Sequence, residues 1–102
     1  MRYKESKLKG NFLIDIDPIT DDRGLFARYF CKRDFTKNGL NSDWVQANNS
    51  FNEKVGTLRG LHLQKGPNAE IKLVKCISGE IWDVVVDLRT DCILFSCKSL
   101  NF

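Results

Sequence analysis

The feature that most constrains the fold is a series of short apolar runs separated by turn-forming residues. The run NFLIDID (11–17) alternates apolar and polar residues, which predicts a half-buried strand because successive side chains of a strand point to opposite faces. GLFARYF (24–30), SDWVQANNSF (42–51), TLRGLHLQ (57–64) and the apolar part of TDCILFSCKSLNF (90–102) are further extended candidates. Strands at this spacing are typical of an antiparallel sandwich or barrel, so we predict an all-β fold.

Turn signals lie between these runs. TDDRG (20–24), NEKVG (52–56) and KGPNAE (65–70) are rich in Asp, Asn, Gly or Pro, residues that favour turns. IKLVKCISGEIWDVVVDLR (71–89) predicts two strands joined by a tight hairpin at Ser78-Gly79-Glu80. Val and Ile dominate the second of these strands, so we expect it to be central and well buried.

One segment favours a helix. KRDFTKNGL (32–40) offers Asp34 or Thr36 as an N-cap, and Asn38-Gly39 is expected to end the helix. We therefore predict one short helix in an otherwise antiparallel β fold.

Composition restricts the class of partner. A chain of 102 residues is one domain at most, and 42% hydrophobic with 28% charged residues is typical of a globular protein. A net charge of +3 from scattered Lys and Arg argues against a nucleic-acid partner but suits a pocket for a small anion. The N-terminus lacks the apolar core of a signal peptide, and no stretch approaches the ~20 apolar residues of a membrane span. We expect no membrane association and a cytoplasmic location.

The cysteines favour buried thiols over a metal site. They are Cys31, Cys76, Cys92 and Cys97, and no two of them form a CxxC pair. With one histidine in the chain, a Cys/His zinc site is hard to build, so we expect free, mostly buried thiols. We expect no metal and no other cofactor. Trp44 and Trp82 are also expected in the core rather than as stacking platforms.

Polar residues that could carry chemistry lie in four places. They are Arg23 in the first turn, Gln46 and Asn48 on one face of an extended run, Arg59 with His62, and Lys72. Arg59 and His62 have opposite parity on a regular strand, so they can share a face only if the strand kinks or bulges at Gly60. A cluster of such groups converging in one concave place would be costly unless it formed a site.

Each of these residues also has a structural interpretation. A lone histidine in an apolar strand is more often a hydrogen-bonded core residue than a catalyst. Lys72 alone suggests a solvated strand end, Arg23 suggests a surface turn residue, and the two amides could pin the turn near Asn52. The residue types alone therefore leave a catalytic site and a plain structural β domain both open.

Four motifs in a fixed order carry a family resemblance. They are DDRGLF (21–26), VQANNS (45–50), GTLRGLHLQ (56–64) and AEIKLVKCISGEIWDVVVDLR (69–89). In this order they resemble the N-terminal half of the dTDP-4-dehydrorhamnose 3,5-epimerase family, over roughly residues 10–90. The combination of LRGLHxQ with KLV and GExxDVxVDxR is specific to that family.

The resemblance implies a fold and an assembly. The fold is an RmlC-like cupin jelly roll, here incomplete, with a substrate cavity between its sheets. The assembly is a homodimer in which the N-terminal strand region contributes across the interface. The resemblance also implies an enzyme that needs no metal and takes a dTDP-sugar-like small molecule.

The resemblance also implies roles for individual residues. His62 falls on the general base, which removes a proton from carbon 3 or 5 of a 4-keto-6-deoxy sugar to give an enolate. Lys72 matches the lysine that stabilises the enolate oxygen, and both residues are predicted to be catalytic. The predicted substrate-binding residues are Arg23, Phe26, Arg28, Gln46, Asn48 and Arg59.

The chain departs from the family pattern in residues and in length. Arg28 stands where the family often has glutamate, Ala47 where it often has aspartate, and Asn49 where histidine is common, which leaves the nucleotide sugar open. Family members are nearly twice as long, and their proton-donating tyrosine and histidine-pairing aspartate belong to the half without a match here. We therefore predict a single, truncated epimerase-like domain. Its predicted function is epimerisation in deoxysugar or surface polysaccharide biosynthesis. The alternative is a catalytically incomplete sugar-nucleotide-binding fragment that lacks the acid tyrosine and the histidine-pairing aspartate.

Overall fold

The computed structural model describes residues 1–89 and 94–101, and these residues form antiparallel strands with one short α-helix. The strands are β1 (Arg2–Glu5), β2 (Phe12–Asp15), β3 (Ile19–Asp21), β4 (Gly24–Phe26), β5 (Glu80–Asp87) and β6 (Leu94–Asn101). The helix α1 is Lys32–Lys37, and a 3-10 turn spans Gly66–Asn68. Consecutive strands pair as three separate two-stranded sheets. The structure is therefore the predicted all-β fold with one short helix, in a partial form.

The first sheet is a hairpin of β1 and β2, with Arg2 opposite Asp15 and Glu5 opposite Phe12. The backbone N–H of Ser6 donates to the carbonyl oxygen of Asn11 at 2.8 Å and closes the connection. The strand predicted from NFLIDID is confirmed. β1 was not predicted from the residue pattern, because three of its four residues are charged and give no apolar alternation.

The second sheet is a hairpin of β3 and β4 around Asp22 and Arg23. The backbone N–H of Arg23 donates to Asp21 Oδ1 at 2.9 Å, the side-chain-stabilised turn that Asp favours. Gly24 follows with a φ of +129°, which an L side chain rarely adopts. The turn predicted at 20–24 is confirmed, whereas the strand predicted over 24–30 ends at Phe26.

The predicted helix forms, but its cap is not the predicted one. Cys31 is the N-cap residue and makes no side-chain cap bond. Asp34 and Thr36 lie inside the helix, where the Thr36 hydroxyl donates to the carbonyl oxygen of Lys32 at 2.9 Å. The predicted end at Asn38-Gly39 is confirmed, and Gly39 has a φ of +71°.

A small aromatic core joins α1 to β1. Phe35 is 1% exposed, and Leu8 is also buried. The Phe35 ring meets those of Tyr3 and Phe30 edge-on, at centroid separations of 5.8 and 4.9 Å. This geometry suits the aromatic quadrupole and holds the helix against the first hairpin.

The third sheet pairs β5 with β6, from Glu80 opposite Asn101 to Asp87 opposite Leu94. The strand predicted in the last segment is thereby confirmed. The hairpin predicted at 78–80 is wrong, because residues 71–77 form no strand and β5 pairs with the chain after it. The expected burial of β5 is also wrong, since Trp82 is 69% exposed and Val84 and Val85 are 37% exposed. A two-stranded sheet has too few neighbours to bury such side chains.

The middle of the chain pairs with no strand in the described structure. The turns predicted at 52–56 and 65–70 are confirmed, but the segments 42–51 and 57–64 make no ladder, so the predicted TLRGLHLQ strand is wrong. Many of their apolar side chains face solvent, among them Val45, Phe51, Val55, Leu58, Leu61 and Leu63. Because strand pairing is what would bury them, their exposure follows from the missing ladder.

The cysteines and Trp44 partly match the expectation of burial. Cys76 is buried and its thiol donates to the carbonyl oxygens of Ser78 and Gly79, at 3.4 and 3.3 Å. Cys31 and Trp44 are half-buried, and neither Cys31 nor Cys76 forms a disulfide. Cys92 lies outside the described residues, as does the side chain of Cys97.

No helix in residues 1–89 or 94–101 is long and apolar enough to cross a membrane.

Candidate active site

His62 is exposed and lies two residues after Gly60, whose φ is positive. Gly60, the residue at which a kink would allow Arg59 and His62 to share a face, has a φ of +104°. A Cβ added at Gly60 would lie 3.5 Å from the backbone nitrogen of His62 and 4.0 Å from its Nδ1. The imidazole therefore turns back toward Gly60. Its exposure excludes the buried core histidine that was the structural alternative.

The guanidinium of Arg59 is held by neutral oxygen atoms. Its Nη1 donates to Ser50 Oγ and, at 3.4 Å, to Asn52 Oδ1. These bonds cross the turn at 53–56 and join the two extended segments that flank it. Ser50 and Asn52 were not predicted as partners of Arg59. The available signal was the position of these two residues around the start of a predicted turn, with an arginine just after it.

Arg23 has a different electrostatic setting. Its Nε donates to Asp21 Oδ2 at 3.1 Å, and its Nη2 forms an ion pair with the same oxygen. The hydrogen bonds from the Arg23 side chain, and then from its backbone, hold the pKa of Asp21 below its usual value. A substrate anion at Arg23 must therefore compete with a carboxylate.

Lys72 is also paired. Its Nζ lies 2.9 Å from Glu70 Oε1, and both side chains are about half exposed. The two residues have the same parity on an extended chain, so their side chains leave it in one direction. A developing negative charge near Lys72 would share the ammonium with Glu70.

The remaining predicted substrate residues are exposed: Phe26, Arg28, Gln46 and Asn48. Within the described structure, none of the eight predicted site residues makes a hydrogen bond or ion pair with another of the eight. An open depression of about 340 Å³ lies against the β3–β4 hairpin, and Arg23 and Phe26 line it. Another, of about 630 Å³, follows His62 in the chain and is lined by none of the eight; its lining residues are Gln64, Lys65, Pro67, Asn68 and Ala69.

The described residues include no group of three or more His, Cys, Asp or Glu side chains that could hold a metal ion.

A family model of dTDP-4-dehydrorhamnose 3,5-epimerase matches residues 5–98, nearly the whole chain. The chain belongs to the dTDP-4-dehydrorhamnose 3,5-epimerase family. The match includes all four motifs that carry the resemblance, and it confirms the family predicted from them.

Curated members of the dTDP-4-dehydrorhamnose 3,5-epimerase family align over most of this chain. The protein of that name from Methanothermobacter thermautotrophicus is 43% identical over 88 residues, which are 86% of this chain and 46% of the relative. Its namesake from Escherichia coli K12 is 42% identical over 96 residues, 93% of this chain and 51% of the relative. The namesake from Mycolicibacterium smegmatis is 42% identical over 92 residues, 87% of this chain and 44% of the relative.

The chain thus spans about half the length of the curated epimerases that it matches. No solved structure matched the chain in the comparison.

Proposed function

We propose that the chain carries the base-bearing part of an epimerase for a nucleotide-linked 4-keto-6-deoxy sugar, acting at carbon 3, carbon 5 or both. The observation that carries the proposal is the family match over residues 5–98, which includes the segment with the single histidine. Relatives at about 42% identity are named dTDP-4-dehydrorhamnose 3,5-epimerase, and such a name implies this substrate class.

The proposed reaction uses the acidity of carbons next to a ketone. A nitrogen of the neutral His62 imidazole takes the proton from carbon 3 or 5, and the C–H electron pair moves into the carbonyl to form an enolate. Reprotonation of that carbon from the opposite face, with the proton taken from an acid or from water, inverts the centre. Histidine suits the first step because its ordinary pKa lies close to neutral pH.

Cationic side chains would stabilise the charged species. Lys72 is proposed to stabilise the enolate oxygen, since a fixed positive charge beside a developing anion lowers the barrier. Arg59 and Arg23 are proposed to bind the diphosphate, whose oxygens fit the guanidinium fork. Phe26, Arg28, Gln46 and Asn48 are proposed to contact the rest of the substrate.

Cell location and assembly complete the proposal. We propose a cytoplasmic homodimer that takes part in deoxysugar or surface polysaccharide biosynthesis and has no nucleic-acid partner. The large exposed apolar surface supports association between copies, and the modest net charge of +3 fits the absence of nucleic acid.

Proton exchange tests the proposed chemistry directly. Incubating the chain with dTDP-4-keto-6-deoxyglucose in deuterated water should place deuterium at carbon 3, carbon 5 or both, as read by NMR. His62→Asn, which keeps a polar side chain of similar size, should reduce the enzymatic exchange by about 100-fold or more, because general-base catalysis contributes on that order.

Two outcomes would count against it. Exchange that survives in His62→Asn would show that another group is the base. Binding of the nucleotide sugar with no exchange above the protein-free control would identify the chain as a sugar-nucleotide-binding fragment instead.

A further inference from the structure

We infer that Ser50 and Asn52 are positioning residues that fix the Arg59 guanidinium as the receptor for a diphosphate or similar oxyanion. The inference rests on the proposed function only for the identity of the anion. Ser50 and Asn52 were not among the predicted site residues, and both act by holding the side chain of Arg59.

The geometry leaves one edge of the guanidinium open. Both hydrogen bonds to Arg59 use Nη1, one to Ser50 Oγ and one to Asn52 Oδ1 at 3.4 Å. Within the described part of the chain, Nε and Nη2 of Arg59 make no hydrogen bond. These two nitrogens form the side of the fork that can bind two oxygen atoms of one anion.

The same edge binds anions elsewhere in this structure. Arg23 uses Nε and Nη2 to bind the carboxylate of Asp21, and Arg89 uses Nε and Nη2 to bind that of Asp87. In Arg59, within the described structure, no carboxylate binds Nε and Nη2.

Arg59 differs from the other arginines in combining an unpaired charge with an anchored side chain. Among the residues that the structure describes, four of the six arginines lie within 4 Å of an aspartate oxygen, namely Arg2, Arg23, Arg33 and Arg89. Arg28, like Arg59, has no ion pair in the described structure, but no hydrogen bond holds its side chain. Arg59 therefore combines an uncompensated charge with a side chain that is already anchored.

Anchoring by neutral acceptors has a clear effect on binding. A long arginine side chain loses rotamer freedom when it binds an anion, and a side chain held beforehand loses less. Hydroxyl and amide oxygens do this without cancelling the charge, whereas a carboxylate in the same place would compete with the ligand. Ser50 and Asn52 have the required chemistry.

Pyrophosphate binding to the full chain tests the inference. Affinity for inorganic pyrophosphate would be measured by calorimetry at low salt for the natural protein, Arg59→Gln, Ser50→Ala, Ser50→Thr and Asn52→Asp. We expect Asn52→Asp to weaken binding by about fivefold, because it places a carboxylate on Nη1. Ser50→Ala should weaken it by about threefold through loss of a hydrogen bond to the guanidinium, and Ser50→Thr, which keeps the hydroxyl, should restore it.

A matched variant controls for added charge. Asn41→Asp adds the same charge outside this cluster and keeps the Oδ1 that accepts from the backbone N–H of Asp43 at 3.4 Å. It should bind pyrophosphate as the natural protein does. The dependence of affinity on salt should also be shallower in Asn52→Asp, a change that loss of folding alone would not produce.

The result of the pyrophosphate-binding experiment does not depend on the result of the deuterium-exchange experiment. Weaker pyrophosphate binding in Asn52→Asp and Arg59→Gln supports the inference even if no deuterium enters the sugar. Equal affinity in the natural protein, Asn52→Asp and Ser50→Ala would overturn it, as would pyrophosphate binding that does not depend on Arg59 or the absence of pyrophosphate binding by the natural protein.

Discussion

Arg23 and Arg89 each close a tight loop with an aspartate two residues earlier. In both, the backbone N–H of the arginine donates to Oδ1 of the aspartate, at 2.9 Å to Asp21 and 3.0 Å to Asp87, while Nε and Nη2 bind the same carboxylate. Asp-x-Arg is thus a repeated local unit in this chain. One unit begins at Asp87, the last residue of β5, and the other builds the β3–β4 turn.

The Asp87 unit predicts a dependence of stability on pH. Hydrogen bonds from the Arg89 side chain lower the pKa of Asp87 from 3.8 to about 2. A lowered folded-state pKa favours the folded state above 3.8, and this contribution disappears as the pH falls towards 2. In Asp87→Asn the acid-dependent loss of stability over this range should be smaller than in the natural protein.

Denaturant titrations at several pH values between 2 and 5 would measure this. Asp83→Asn removes a carboxylate from the same strand and serves as the control. An unchanged acid dependence in Asp87→Asn would contradict the prediction.

Prediction at the residue scale succeeded where the chemistry is local. The turn at 20–24 and the helix end at Asn38-Gly39 follow from the backbone preferences of single residues, and both are confirmed. The partners of Arg59 and Lys72 were not predicted. Ion pairs and hydrogen bonds depend on which rotamer a long side chain adopts, and residue spacing alone does not give that.

Most elements whose partner is a neighbour in sequence could be predicted, although β1, which has no apolar alternation, could not. β2, the β3–β4 turn, α1 and β6 were predicted from patterns a few residues long. The segments 57–64 and 71–77 have strand-like patterns but no ladder in the described structure. Alternation of apolar and polar residues predicts that a segment can form a strand, but it does not identify the strand with which that segment pairs.

Phe35 is the residue on which helix α1 depends. Phe35→Ala would remove a side chain that is 1% exposed and in edge-on contact with two other rings. We expect a loss of about 3 kcal/mol or more in the free energy of unfolding, as for other buried Phe to Ala changes.

Near-ultraviolet circular dichroism during denaturant unfolding would measure this loss. Phe51→Ala is the matched control, since Phe51 is 85% exposed and its removal should cost little. Equal losses in the two variants would show that the aromatic cluster does not stabilise the fold.

The whole molecule exposes far more surface than a compact protein of its size. Its accessible surface is 9359 Å², against about 5,900 Å² expected for a folded monomer of 11.7 kDa. The radius of gyration is 15.3 Å, against about 13 Å for a compact chain of this length. Composition alone had predicted an ordinary globular protein, whereas many apolar side chains in the unpaired middle of the chain are exposed.

We predict that the chain binds an apolar dye such as ANS and associates with itself as its concentration rises, because exposed apolar patches of this extent mark association sites. A triple variant with Val45, Phe51 and Leu58 changed to Lys should bind less dye and sediment as a smaller species. A control with Lys at Asn49, Gln64 and Asn68 adds the same charge without removing apolar side chains.

Fluorescence titration and analytical ultracentrifugation are the measurements. If the natural protein is monomeric at all concentrations and does not bind the dye, the surface is not available for association.

The bond between Arg89 and Lys9 has a consequence for the order of folding. Nη2 of Arg89 donates to the carbonyl oxygen of Lys9, 80 residues earlier in the chain, at 2.9 Å. Hairpins and short helices form within microseconds, whereas a contact at this separation must first close a long loop and is entropically slower to reach. On a ribosome, the residues that build both N-terminal hairpins and α1 emerge well before Arg89 is made. The N-terminal part of the molecule can therefore fold first, and the β5–β6 sheet is joined to it last.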